Sequence, residues 1–141
     1  IDSIQTNFSL TTQPNATKPE TRNIFSMFLN DNWFEMKAKD EIISNDLVES
    51  LDASILQNHL LNPILGIDDP RTNERIDFVG GIRGLEELER RCNLDAKVAF
   101  ALHPVSIVDL LAIADSDKVM PPKSTWFEPK LRSGLVVRLL D

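Results

Sequence analysis

The stretch NIFSMFLNDNWFEMKAK, residues 23–39, constrains the fold more than any other part of the chain. Two aromatic-rich arms flank Asn30, Asp31 and Asn32, residue types that suit a tight strand reversal. In the second arm Trp33, Glu35, Lys37 and Lys39 alternate with Phe34, Met36 and Ala38, so one face is apolar and the other charged. Such a two-residue period belongs to a half-exposed antiparallel strand. The pattern predicts a hairpin with strands at 23–29 and 33–39.

Downstream, helical and strand signals alternate. Asp52 reads as the N-cap of ASILQNHLL, where Leu51, Ile55, Leu56 and Leu60 form an apolar stripe ended by Pro63 and Gly66. IDFVGG predicts a short buried strand at 76–80. RGLEELERRCN predicts an amphipathic helix with Leu85 and Leu88 inward and Glu87 set to pair with Arg91. KVAFALHP is apolar without alternation, which predicts a central strand at 97–102. Ser106, followed three residues on by Asp109, opens a third helix, and GLVVRLL predicts a last strand at 135–140. The sum is an α+β fold with a mixed sheet of about five strands, an N-terminal β-hairpin and three packed helices. Residues 1–22 carry the weakest signal. FSLTTQ suits a short strand, but PNATKPETR is polar and proline-bearing, so 1–22 is read as a linker or irregular segment before a single domain at 23–141.

Composition narrows the function classes. A length of 141 residues fits one domain, and 42% hydrophobic against 26% charged residues suits a buried core. No apolar run is long enough for a transmembrane helix. Ile1–Gln13 lacks the basic start of a signal peptide, so the cytoplasm is the expected compartment. The chain begins at Ile1, not Met, and is read as a fragment of a longer protein whose N-terminal part is its first expected partner. The lone Cys92 excludes an internal disulfide and a cysteine-based zinc site.

Charge is unevenly spread. Residues 1–117 hold 10 Lys/Arg and 20 Asp/Glu, whereas 118–141 hold Lys118, Lys123, Lys130, Arg132 and Arg138 against Glu128 and Asp141. An acidic body repels polyanions, so nucleic-acid binding through this domain is not expected. A local cationic island suits one small anion.

That island includes MPPKSTWFEPKLRSG, residues 120–134. Pro121, Pro122 and Pro129 fix backbone angles, and Gly134 permits a positive φ. A restricted loop loses little entropy on holding a ligand. Lys123, Ser124 and Thr125 offer one set of donors; Lys130, Arg132 and Ser133 offer another, and both sets suit phosphate or carboxylate. Trp126 and Phe127 can stack on a ring or anchor the loop. The order of residues lacks the glycine-rich turn of a P-loop. Two further residues join the candidate ligand set. His103 ends the expected central strand, where α/β sites gather. Arg83 lies in VGGIRGL, a glycine turn at a helix start. Convergence of the loop cations is expected near that turn or near the end of 97–102. No catalytic residue, metal or cofactor is assigned.

LDASILQNHLLNPILGIDDPRTNERIDFVGGIRGLEELE, AFALHPVSIVDLLAIAD and above all MPPKSTWFEPKLRSGL resemble the C-terminal portion of the bacterial and archaeal family called domain of unknown function 1015. The resemblance runs from about Trp33 to Leu140. It implies no activity, substrate or catalytic residue. Members often carry a ParB-like label resting on a Gly-His-His-Arg-like signature in the other half of the protein. Here the two histidines lie in QNHLL (His59) and ALHPV (His103), so that signature is not in this chain. The expected function is therefore a C-terminal domain supplying part of a site for a small phosphorylated or nucleotide ligand. The alternative is a non-catalytic structural or self-association domain, as in a homodimer, and ParB-like nucleic-acid association ranks third.

Overall fold

The computed structural model describes residues 1–125. The expected hairpin is present, with β2 (Ile24–Leu29) and β3 (Asn32–Ala38) pairing in register from Leu29↔Asn32 to Ile24↔Lys37. Its two-residue turn places Asn30 at φ 49° and Asp31 at φ 59°, the left-handed pair that matches the strand twist. A short helix α1 (Asp2–Gln5) and strand β1 (Phe8–Gln13) precede it, and β4 (Val98–Leu102) follows. The sheet order is β1-β3-β2-β4, and every neighbouring pair is antiparallel.

The alternation in β3 decides which face becomes the core. Phe34, Met36 and Ala38 share a face with Phe25 and Met27 of β2, Phe8 and Leu10 of β1, and Phe100 and Leu102 of β4. Phe8 meets Phe25 edge to face, with ring centroids 5.7 Å apart. Helix α2 (Asp52–Leu56) covers this face and continues as a π-helical turn over Gln57–Leu61. The expected stripe of Leu51, Ile55, Leu56 and Leu60 is buried. The chemistry of Pro63 explains one tertiary contact here. Having no N–H, Pro63 cannot serve the His59 carbonyl one turn back, and that carbonyl accepts from Asn7 Nδ2 at 3.2 Å instead.

Helix α3 (Gly84–Leu94) packs beside β4 and β2 on the other face, where Trp33 donates to Glu89 at 2.6 Å. Helix α4 (Ile107–Asp115) follows β4 and starts as expected: Ser106 Oγ accepts from the Asp109 N–H at 3.0 Å. No helix among the described residues is long and apolar enough to cross a membrane.

Several expectations need correction. The described sheet has four strands and is wholly antiparallel, not mixed, because β1 and β2 run in the same direction but are separated by β3. Among the described residues four helices stand where three were expected, the extra one being α1. Residues 1–22 are no linker: β1 forms an edge ladder and Phe8 has no exposed surface. Residues 76–80 form no strand. That segment lies on the surface, with Asp77 held by Arg91 at 2.8 Å and Phe78 partly exposed. Among the described residues β4 is an edge strand, not a central one, and pairs with β2 alone. Its unbroken apolar run reflects two covered faces: Val98, Phe100 and Leu102 meet the core, while α3 lies across the other side. Glu87 pairs with Arg90, not Arg91, which reaches Asp77 and Asp95. The strand expected at 135–140 lies outside the described residues.

Truncation of Phe8 tests the placement of β1. Phe8→Ala should cost about 3–5 kcal/mol in urea denaturation, the range for deleting a buried phenyl ring. A cost below about 1 kcal/mol would mean that β1 does not belong to the core.

Candidate functional site

Residues 14–23 return the chain from the end of β1 to the start of β2. Since Gln13 lies opposite Trp33 and Ile24 opposite Lys37, this segment must traverse the length of the sheet. Contacts at four of its residues, Thr17, Pro19, Arg22 and Asn23, hold it. Ser26 Oγ–H donates to the Thr17 carbonyl, and His103 Nδ1 lies 3.2 Å from the Pro19 carbonyl. Arg22 reaches Asp109 Oδ1 at 3.2 Å and the Ser50 carbonyl at 3.0 Å. The Asn23 N–H donates to Asp52 Oδ1 at 2.8 Å.

The last three contacts surround a cleft at the junction of α2, the end of β4 and the start of α4. Arg22, Asp52, His103, Val105 and Asp109 line it, and about 10 Å³ remains free, roughly the space for one water molecule. Asp52 is 5% exposed. Contrary to expectation it does not cap its helix, whose N-cap is Leu51 without a side-chain bond. Its carboxyl instead secures Asn23, which sits at φ 66°. Oδ2 is buried with no hydrogen-bond partner; the His103 main-chain N–H approaches the carboxyl without reaching bonding geometry. Burial pushes the Asp52 carboxyl up from its ordinary value, against the opposing pull of the Asn23 N–H, Arg22 and His103. The tautomer of His103 follows from its partner. A carbonyl only accepts, so Nδ1 carries the hydrogen of that bond.

The loop residues lie elsewhere. Lys123 takes a left-handed backbone, φ 60°, and sets its ammonium 5.8 Å from the centre of the Phe78 ring, just before the Gly80-Gly81 turn. Its charge also helps hold the Asp77 carboxyl below the ordinary range, after the larger effects of the Phe78 N–H and Arg91. Ser124 is turned inward, its hydroxyl donating to the Pro121 carbonyl at 2.7 Å, and Thr125 is exposed. Lys118 pairs with Asp46, whose carboxyl it helps hold at about 2. Arg83 is exposed in the turn Gly81–Arg83 that leads into α3. The start of α3 is no vacant anion cradle, because Glu86 and Glu87 occupy its first turn and answer the helix dipole themselves. Lys130, Arg132, Ser133, Trp126 and Phe127 lie outside the described residues.

The structure therefore brings Lys123 to the segment entering the glycine turn and brings His103 to Asp52, but no described hydrogen bond or ion pair joins the two groups. Arg22, Asp52 and Asp109 were not legible as site residues. Arg22 and Asp109 are 87 positions apart, and each has an ordinary local explanation. Among the described residues no three His, Cys, Asp or Glu side chains are grouped to hold a metal. Burial raises the Cys92 thiol, which makes it a poor nucleophile. A wider groove of about 250 Å³ beside the hairpin turn is lined by exposed Asn30, Asp31, Asn93 and Lys97. No family model, curated protein or solved structure matches the chain.

The raised Asp52 value predicts a pH dependence. The folded state favours the neutral acid more than the unfolded chain does, so this group's contribution is complete below the unfolded value of about 3.9. It is lost as pH rises through the folded value. Asp52→Asn keeps an acceptor for the Asn23 N–H and cannot ionise. Denaturation at a series of pH values should find the variant at least as stable as the parent near neutrality, with a flatter weakly acidic limb. A variant less stable by more than about 1 kcal/mol near neutrality, the value of an ordinary hydrogen bond, would show that the ionised carboxylate is needed.

Proposed function

We propose that this chain is the C-terminal domain of a larger protein and contributes one wall of a site for a small phosphate-type anion. The observation that carries this reading is an unfinished surface on α4. IVDLLAIAD is apolar on nearly every side, yet Ile107, Val108 and Leu111 are 63%, 70% and 56% exposed, and Val119 is 84% exposed. A helix apolar all round belongs between two layers, and the described residues provide one. The rest of the protein supplies the second layer in this reading.

Lys123 gives the anion site its first fixed donor. A left-handed backbone at a lysine is uncommon, and here the ammonium sits beside the Phe78 ring. One exposed ammonium contributes well under about 1 kcal/mol to an ion pair. Several donors are therefore required, and Lys130, Arg132 and Ser133 are the further candidates on this chain, joined by groups from the rest of the protein. The same α4 face favours a second reading, a non-catalytic domain that self-associates as a homodimer. Nucleic-acid association is disfavoured by the acidic balance of residues 1–117.

Thermal unfolding of this chain and of the whole protein, each with inorganic phosphate and with a nucleotide, separates the readings. The shared-site reading predicts a rise in the whole protein alone, worth about 2.7 kcal/mol at one hundred times the dissociation constant, and its loss in Lys123→Met. No rise in either sample, together with a dimer of this chain in light scattering, would replace the anion site with the self-association domain.

A further inference from the structure

We infer that Asp52 is a proton-controlled latch on the returning segment 14–23: a neutral carboxyl keeps the segment shut, and ionisation releases it locally while the hairpin stays folded. The geometry leaves a charge on this carboxyl poorly supported. Asp52 is 5% exposed, and its one described hydrogen bond comes from the Asn23 N–H at 2.8 Å. Oδ2 is buried without a donor, and so is Asn23 Oδ1. The neighbouring donors are committed elsewhere, Arg22 to Asp109 and Ser50 and the His103 ring to the Pro19 carbonyl. A carboxylate here is therefore a buried charge with a single partner, which is costly. The segment is the part that gives way. Residues 14–18 and 20–22 are nearly all exposed, and Asn23 is held at φ 66°, a backbone that a free chain seldom adopts.

The charged and titratable groups around Asp52 are Arg22 on the segment, His103 after β4 and Asp109 at the start of α4; the rest of α2, Ala53–Leu56, brings none. Arg22 and His103 favour the ionised form, Asp109 adds a like charge, and burial outweighs the favourable pair. The shut form thus binds the proton more tightly than the open one, in which the carboxyl has its ordinary value of about 3.9. Below that value the latch is firmest. Above it the open fraction grows by at most tenfold per pH unit, and levels off once Asp52 is ionised in the shut form as well. Opening also undoes the Arg22 bridge between Asp109 of α4 and Ser50 ahead of α2, so the latch sets how firmly α4 is held. It stands apart from the anion site proposed above, since it uses neither Lys123 nor the 120–134 loop.

Hydrogen exchange of the Asn23 amide, measured by nuclear magnetic resonance against pH and urea, tests the latch, with the Asp52 carboxyl carbon signal followed in parallel. After division by the exchange rate of an unstructured peptide, the Asn23 opening constant should rise in step with Asp52 ionisation and then level off. Its dependence on urea should be much shallower than that of the β2–β3 amides, the mark of local opening. Asp52→Asn should abolish the rise. The inference is overturned if the Asn23 opening constant stays flat across the Asp52 titration, if Asn23 opens only together with the hairpin, or if its amide is unprotected below that titration. All three results are read on the parent protein and depend on no variant folding. A folded Asp52→Asn protein that keeps the rise overturns it too.

Discussion

Strand β3 is bonded on both sides, by β1 at one edge and β2 at the other, and the rest of the molecule is arranged around that fact. Its apolar residues Phe34, Met36 and Ala38 gather Phe8, Phe25 and Met27 into one face, on which α2 and its π-helical turn settle. Because β1 and β2 point the same way with β3 between them, the chain must travel back the length of the sheet before β2 can begin. Residues 14–23 make that journey. Ordering them costs backbone entropy of about 1–2 kcal/mol per residue, which explains why they are tied down by Ser26, His103, Asp109, Ser50 and Asp52 rather than left as a free connection.

Those ties create the chemistry. A returning segment brings its own N–H and C=O groups into a region already closed by α2, β4 and α4, and each needs a partner. Asp52 serves the Asn23 N–H and His103 serves the Pro19 carbonyl. The topology thereby places a carboxyl and an imidazole around a cleft with room for a single water. Low polarity strengthens such interactions and makes any unsatisfied group expensive. The perturbed carboxyl is thus a consequence of the crossing connection.

Legibility followed sequence distance. The hairpin could be read because its alternation and its Asn-Asp turn are local. So could the Leu51, Ile55, Leu56 and Leu60 stripe, and the Ser106 cap with Asp109. β1 is obscured because the ring partner of Phe8, Phe25, lies 17 positions away, and the polar run after the strand resembles a linker. The central placement of β4 failed for an instructive reason: apolar continuity reports cover above and below a strand, and says nothing about hydrogen-bonded neighbours at its sides. The position of Asp52 before ASILQNHLL fully accounts for an aspartate as a helix cap; only the tertiary structure reveals Asn23 as its partner. His103 follows directly on β4, and among the described residues its companions in the cleft are Asp52 and Arg22.

Native-state hydrogen exchange measures the central claim, that β1 and β2 are equal partners of β3. The amides of Phe8–Gln13 that bond to β3 should open with the same free energy as those of the β2–β3 hairpin, near the value for global unfolding, and should respond to denaturant with the same slope. If the β1 amides exchange at the rate of a frayed segment while the hairpin stays protected, β1 is an appendage. The crossing connection would then have no structural role, and the account of the Asp52–His103 cleft would lose its foundation.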